Sequence, residues 1–263
     1  MSRFFLVPLA VVLVLIGSSS GHEIKAFVSN PNLAAGGKTT VYLSWGHRLP
    51  VDDLVEATTL ARYDLVDPTG QVKPLKTSDR SLQTNVVELQ TEGTHQVVVA
   101  RKSSLYTYVF DEDGTRQLKR GGKKDHAGAK IDAATKSLQC AKALVVVGKP
   151  SDKAPSPVGL PIEIVPLDGP SQWVSTNTLR FRVLVDGKPL SSVEVQARPV
   201  GSRPENAWSY ATLSNKQGEF TIKPSQAGTW VVKVYTRNLA PARSRDEYDL
   251  ESFTATLSLE VAP

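Results

Sequence analysis

Apolar and polar residues alternate along most of the chain after the first two dozen positions, and this period of two constrains the fold most. In "TLRFRVLVDG" every second residue from Leu179 to Val185 is apolar, and "SFTATLSLEV" repeats the pattern from Phe253 to Val261. Such alternation is typical of half-buried β-strands. Turn sequences such as "DPTG", "DEDG" and "NKQGE" separate further segments of this kind. The sequence therefore predicts an all-β protein built from β-sandwiches.

The first 21 residues depart from this pattern. Arg3 precedes the apolar run from Phe4 to Ile16, and "GSSSG" follows it, which is the order of regions in a secretory signal peptide. The run contains Pro8 and is shorter than the about 20 residues of a membrane-spanning helix. We expect residues 1–21 to be cleaved, although a cut one or two residues earlier fits the small residues equally well. The product would be periplasmic or secreted, have no membrane span and begin at His22.

A change in composition divides the rest of the chain. "GKPSDKAPSPVGLP" contains four prolines and few large apolar residues, which is typical of a hinge between domains. We predict a linker at residues 149–158, between a β-sandwich at 22–148 that carries the candidate metal site and a second at 159–263. Only residues 51–61 and 132–142 suggest a helical turn.

Composition and motifs narrow the function classes. Lys and Arg number 31 against 26 Asp and Glu, too small an excess to favour nucleic-acid binding. The basic stretch 116–126 contains two glycines and is predicted to be a solvated, mobile loop. Cys140 is the only cysteine and lies in an apolar run, which favours a small buried residue over a reactive thiol. No nucleophile, phosphate-loop or dinucleotide motif is present, and we predict that the protein is not an enzyme.

Two histidines form the candidate metal site. After cleavage His22 would offer its α-amine and its ring, and His47 follows the strand "TTVYLSW" in a loop fixed by Gly46 and Pro50. Three nitrogen donors suit Cu(II) or Ni(II), provided that the first strand lies beside the strand ending at Trp45. His22 could instead be a disordered end residue, and His47 could simply bond a backbone carbonyl.

Four other residues are secondary candidates. Asp52 and Asp53 could orient the His47 ring from outside the ligand shell, but we favour a helix-capping role for them. His95 and His126 are possible additional ligands. His95 alternates with core residues and favours a structural role, and His126 lies in the basic stretch.

The chain resembles the bacterial periplasmic proteins associated with cobalt and nickel transport, which carry a domain of unknown function. The resemblance rests on "GHRLPVDD", "RYDLVDPTG", "CAKALVVVG", "VGLPIEIVPLDGP" and "VLVDGKPLSSVEVQA", which run in family order. It implies immunoglobulin-like β-domains and a metal site at His22 and His47. Members thought to take up nickel have a second histidine after the loop histidine, where this chain has Val51.

The second segment also resembles the carboxypeptidase-regulatory or transthyretin-like β-sandwich, through "DGKPLSSVEV" and "QGEFTIKPSQAGTW". Gly187 and Gly218 would form its turns, and Phe220 and Trp230 its core.

We therefore predict a periplasmic protein that captures nickel, cobalt or possibly copper for a membrane transporter. The alternative is a cell-envelope module that binds a protein or glycan, which exposed Trp173, Trp208 and Tyr210 would favour. A copper-dependent oxidase is a third, weaker reading.

Overall fold

The computed structural model describes residues 22–79, 81–203 and 208–263, so the predicted signal peptide lies outside the described residues. The first half contains β1 (Glu23–Val28), β2 (Asn32–Leu33), β3 (Gly37–Gly46), β4 (Leu60–Val66), β5 (Val72–Pro74), β6 (Thr84–Leu89), β7 (Gly93–Arg101), β8 (Ser104–Phe110), β9 (Arg116–Arg120) and β10 (Lys130–Val147). The second contains β11 (Ile162–Pro166), β12 (Leu179–Val185), β13 (Lys188–Pro189), β14 (Glu194–Pro199), β15 (Tyr210–Leu213), β16 (Glu219–Ile222), β17 (Gly228–Leu239) and β18 (Leu250–Val261). Short 3-10 turns lie at Ala57–Thr59, Lys123–His126, Pro170–Gln172 and Ala242–Ser244. The predicted all-β class is confirmed, and its immunoglobulin-like character stays a prediction.

The strands form three sheets. A three-stranded sheet has the order β1-β3-β6, and a four-stranded sheet contains β11, β12, β13 and β16. Between them lies an eleven-stranded sheet with the path β15-β14-β17-β18-β10-β7-β4-β5, to which β2, β8 and β9 add. The larger sheet therefore serves both predicted β-sandwiches.

Strand β10 connects the two halves of the chain. Its residues Thr135–Ala143 pair in parallel with Leu250–Ser258 of β18, and its end, Leu144–Val147, pairs antiparallel with β7. Because this pairing continues from one half into the other, the two predicted domains share one sheet. Whether they are two folding units stays a prediction.

Each face of β10 contributes to a different core. Ala141, Ala143 and Val145 pack under the three-stranded sheet, whereas Cys140 and Leu144 pack with residues of the second half. Cys140 is 1% exposed, which confirms the prediction of a buried thiol. Burial raises its pKa to about 11.

Three sequence-based expectations about local structure are wrong. Residues 132–142 lie inside β10 and form no helical turn, because pairing to strands on both sides outweighs local propensity. The basic stretch 116–126 is not a loop, because β9 pairs with β8 and a 3-10 turn follows. Within 51–61 the only turn is Ala57–Thr59, whose N-cap is Glu56, so neither Asp52 nor Asp53 caps a helix.

The proline-rich segment between the halves is fastened to the protein. The buried Glu163 carboxylate accepts hydrogen bonds from the backbone N–H groups of Val158 and Gly159, at 2.9 and 3.1 Å. Gln96 donates to the carbonyl of Ser156 at 2.9 Å. These bonds tie the predicted linker to strands of both halves.

The glycines and aromatic residues assigned to the second half have the expected roles. Gly187 has a φ of +74°, and a Cβ on Gly218 would lie 2.8 Å from the carbonyl oxygen of Val183. Phe220 and Trp230 are buried in the core. Among the described residues, none forms a helix with the length and apolar character needed to cross a membrane.

Candidate metal site

The first strand brings His22 beside His47. β1 pairs antiparallel with β3, with Glu23 opposite Gly46 and Ile24 opposite Trp45. The predicted neighbouring of these strands is therefore confirmed. The residues just beyond the paired ends are the two histidines, and their ring centroids lie 4.8 Å apart in an edge-to-face arrangement.

A tight loop presents the His47 ring. Gly46 has a φ of +119°, and a Cβ at this position would lie 2.3 Å from Oδ2 of Asp52. That same oxygen accepts the backbone N–H groups of His47 at 2.8 Å and Arg48 at 3.2 Å. These hydrogen bonds lower the pKa of Asp52. Because Gly46 has no Cβ, the Asp52 carboxylate has space to bind these backbone groups and hold the loop.

The loop is also closed from two other directions. Trp45 and Asp53 exchange backbone hydrogen bonds of 3.1 and 2.8 Å, which joins the two ends of the loop. The buried Arg198 donates from Nη2 to the carbonyl oxygen of His47 at 2.8 Å. The peptide groups on both sides of His47 are thus fixed, while its side chain stays partly exposed.

The backbone of His22 is held from the eleven-stranded sheet. Nε2 of Gln139 donates to the His22 carbonyl at 3.0 Å, and its Oε1 accepts the N–H of Ile24 at 3.2 Å. The His22 ring also meets the Trp45 ring edge-on, with centroids 5.8 Å apart. His22 is exposed, but its carbonyl and its ring both contact other residues.

Buried charges surround the base of the pair. Glu23 forms ion pairs with Lys25 and Lys233, and all three side chains are largely buried. Burial lowers the pKa of His47, and the charges of His22, Lys25 and Lys233 lower it further, against the opposing effect of Glu23. This direction favours the neutral form of His47, which is the form of imidazole that binds metal ions.

The spacing of the two rings suits adjacent positions on one ion. Nitrogens about 2.0 Å from a metal and about 90° apart would place imidazole centres about 4.4 Å from each other. The observed 4.8 Å is close to this value. Within the described ranges, no group of three or more His, Cys, Asp and Glu side chains could hold a metal ion. A site with a third donor would need another group, and the His22 amine is the nearest that processing could supply.

Sequence comparison assigns the chain to a family. A profile described as "Domain of unknown function (DUF4198)" matches residues 19–238. The chain belongs to this family. No curated protein matches the chain.

Solved structures show only distant similarity to this DUF4198 protein. The D0-D1 domain of intimin is 12% identical with a TM-score of 0.24, and the alignment covers 92% of this chain and 98% of that one. The Escherichia coli adhesin FdeC is 14% identical with a TM-score of 0.23, covering 92% and 64%. A mutant of Salmonella alpha-2-macroglobulin is 10% identical with a TM-score of 0.25, covering 92% and 15%. TM-scores this low support no argument about architecture or role.

The other two histidines of this DUF4198 protein lie apart from the pair. His95 is buried and its Nε2 bonds the carbonyl of Thr91 at 2.7 Å. It stands opposite Val145 of β10, six positions from Gln139, or about 20 Å along the strand. Nε2 of His126 bonds the carbonyl of Arg120 at 2.8 Å. The structure brings His22 and His47 together, but it does not bring His95 or His126 to them.

Sequence reasoning missed the residues that hold the pair in place. Arg198 lies 151 positions from His47, and Gln139 lies 117 positions from His22. No local pattern marks either residue, because each acts through a contact between distant strands. Asp52, a candidate for orienting the His47 ring, binds the backbone N–H groups of His47 and Arg48. The Asp53 carboxylate accepts the N–H of Leu54 at 2.7 Å.

The aromatic residues cited for an interaction surface have other surroundings. Trp173 is 3% exposed and belongs to the core. Trp208 packs against the cations Arg198 and Lys233, at 4.9 and 5.5 Å from its ring centroid. Tyr210 is partly buried and packs against the same core as Trp173. Trp173 is therefore not the exposed tryptophan that would have supported the envelope-module alternative.

Proposed function

We propose that the processed protein captures a divalent transition metal ion in the periplasm and passes it to a membrane transporter. The observation that carries this proposal is the 4.8 Å approach of the His22 and His47 rings. His22 would contribute its ring and its freed α-amine, and His47 its ring. Nickel and cobalt are the ions that we expect the protein to carry in the cell, and copper is the third candidate.

The donor set determines the order of affinities. Divalent ions bind nitrogen sites with affinities that rise from cobalt through nickel to copper. We therefore expect copper to bind most tightly in solution, so the ion carried in the cell would be set by supply and by the transporter. Val51, which stands where nickel-associated relatives have a second histidine, gives this chain one ligand fewer.

The remainder of the chain would present the site and provide no catalytic group. The β-sandwich at residues 159–263 resembles transthyretin-like modules, and we assign it a presenting or docking role. The loop that holds His47 touches this half through Arg198, so a transporter that contacts the second half would lie near the ion.

Calorimetric titration of the exported, processed protein tests the proposal. Nickel, cobalt and copper are titrated after mass spectrometry has established the N-terminal residue. We expect His47→Ala, and separately one extra residue before His22, to weaken nickel binding at least tenfold. The extension keeps both rings, so its effect isolates the α-amine.

His126→Ala is the matched control, because it removes a histidine outside the pair and should bind nickel like the native protein. If no metal binds, or if both site changes leave binding intact, the proposal is wrong. The second candidate, an envelope module that binds a protein or glycan, would then become the leading one.

A further inference from the structure

A groove of about 930 Å³ opens directly beside His22. Its floor consists of alternate residues of β8, β10, β17 and β18, on one face of the eleven-stranded sheet. Ala141 and Ala143 continue that face under the three-stranded sheet. The groove therefore begins where the covering sheet ends, at His22, and Trp45 and the segment 53–59 form its wall.

The groove is rich in positive charge. Five basic residues line it against two acidic ones, Asp53 and Glu56. Two of the five are neutralised, because Lys233 pairs with Glu23 and Arg116 pairs with Asp132. The other three are Arg101, Arg120 and Arg237. For none of them does a described carboxylate lie within ion-pair distance.

Arg101 is held in place, but one of its donor atoms lacks an acceptor. Its guanidinium carbon lies 3.8 Å from the centroid of the Trp45 ring, which fixes the orientation of the side chain. Its buried Nε finds no acceptor among the described residues. Burial lowers the pKa of Arg101, and the charge of Arg120 lowers it as well, while Tyr106 and Glu56 oppose this shift. A buried donor without a partner costs free energy, and a ligand oxygen would offset that cost.

This charge disfavours the approach of a bare dication to His22 and favours an anion. Guanidinium groups match the geometry of carboxylates, and hydroxyl groups of tyrosines in the groove can donate further hydrogen bonds. Carboxylates are also ligands of divalent metals. One small anion could therefore contact the arginines and an ion at His22 together.

We propose that the groove binds the carboxylates of an organic chelate, so that the metal reaches His22 and His47 as an anionic complex. The delivery of a metal ion to the histidines rests on the proposed function. The binding of a carboxylate anion in the groove does not. The arginines Arg101, Arg120 and Arg237 hold the carboxylates, and the histidines take the ion.

The test compares three titrants on the processed protein: nickel alone in a non-coordinating buffer, citrate alone, and preformed nickel–citrate, which carries a net negative charge. The variant is Arg120→Gln with Arg237→Gln, because both side chains are exposed and their loss should not unfold the protein. Lys216→Gln with Arg243→Gln removes the same charge from exposed positions outside the groove and is the matched control.

We expect citrate to bind the native protein and nickel–citrate to bind more tightly. The groove variant should lose at least tenfold in affinity for both, should bind nickel alone no more weakly than the native protein does, and the control should match the native protein. Citrate binding that is absent, or equal in variant and control, would overturn the inference while nickel binding leaves the proposed function standing. Citrate binding without any nickel binding would overturn the proposed function and the chelate with it, leaving a plain anion site.

Discussion

A single glycine decides the geometry of the His47 loop. Gly46 adopts a φ of +119°, which residues with a Cβ rarely adopt, and its missing side chain leaves room for the Asp52 carboxylate. The carboxylate in turn holds the N–H groups of His47 and Arg48. The position of the His47 ring therefore depends on the absence of a Cβ at Gly46.

Gly46→Ala should disrupt this loop. The new Cβ strains the backbone and displaces Asp52, and we expect a loss of about 2–4 kcal/mol of stability from strain and lost hydrogen bonds. Nickel affinity should fall at least tenfold. Gly70→Ala is the control, because Gly70 has a φ of +90° with nothing within 4 Å of an added Cβ. Urea unfolding and calorimetry measure both effects, and equal losses in the two variants would contradict the role given to Asp52.

At the scale of the element, one edge of β1 pairs with a strand, and carbonyl groups on its other edge accept hydrogen bonds from side chains. Its first edge pairs with β3. On the other side Thr256 donates to the carbonyl of Ile24 at 2.7 Å, and Ser258 donates to that of Ala26 at 2.6 Å. Both hydroxyls come from β18 and are buried. The strand that carries His22 is thereby fixed on the eleven-stranded sheet.

Thr256→Val should loosen this attachment. Valine keeps the shape of threonine but leaves the buried Ile24 carbonyl without its donor, which costs about 1–3 kcal/mol. Thr254→Val is the matched control, since Thr254 lies two residues away on the same face and its hydroxyl has no partner among the described residues. The free energy of unfolding in urea measures the difference. A loss in Thr256→Val no larger than in Thr254→Val would count against the edge contact.

The sequence predicts the elements better than it predicts how they meet. Alternation identified most strands, and the neighbouring of β1 and β3 followed because strands adjacent in sequence often pair. The prediction of a helical turn at 132–142 was wrong, because this segment forms a strand through pairing with neighbours on both sides. The approach of His22 to His47 followed from the pairing of β1 with β3, because the two residues lie just beyond the paired ends of these strands. Gln139 and Arg198 were not predictable, since nothing in their local sequence encodes a partner more than 100 positions away.

At the scale of the molecule, the two halves are joined by one sheet and by buried ion pairs, of which Lys142–Glu163 is the most buried. Lys142 of β10 and Glu163 of β11 approach to 2.7 Å with side chains 2% and 1% exposed. Gln96 of β7 accepts a further hydrogen bond from Lys142 at 3.2 Å. Burial lowers the pKa of Lys142, and Glu163 opposes this shift. The carboxylate that balances this lysine is the same one that anchors the proline-rich segment, so the charge balance of Lys142 and the attachment of that segment depend on one residue.

Glu163→Gln should therefore destabilise both halves together. It leaves the Lys142 charge buried without a counter-ion, which costs about 3–5 kcal/mol. Adding Lys142→Met should recover most of that loss. Glu219→Gln, which breaks the half-exposed pair with Arg182, should cost about 0–1 kcal/mol. Tryptophan fluorescence and circular dichroism should follow one urea transition, because Trp45 lies in the three-stranded sheet and Trp230 in the eleven-stranded sheet on which both halves pack. Equal costs for Glu163→Gln and Glu219→Gln would contradict the role given to the buried pair. Two transitions would mean that the halves unfold separately, as expected if residues 149–158 act as a hinge.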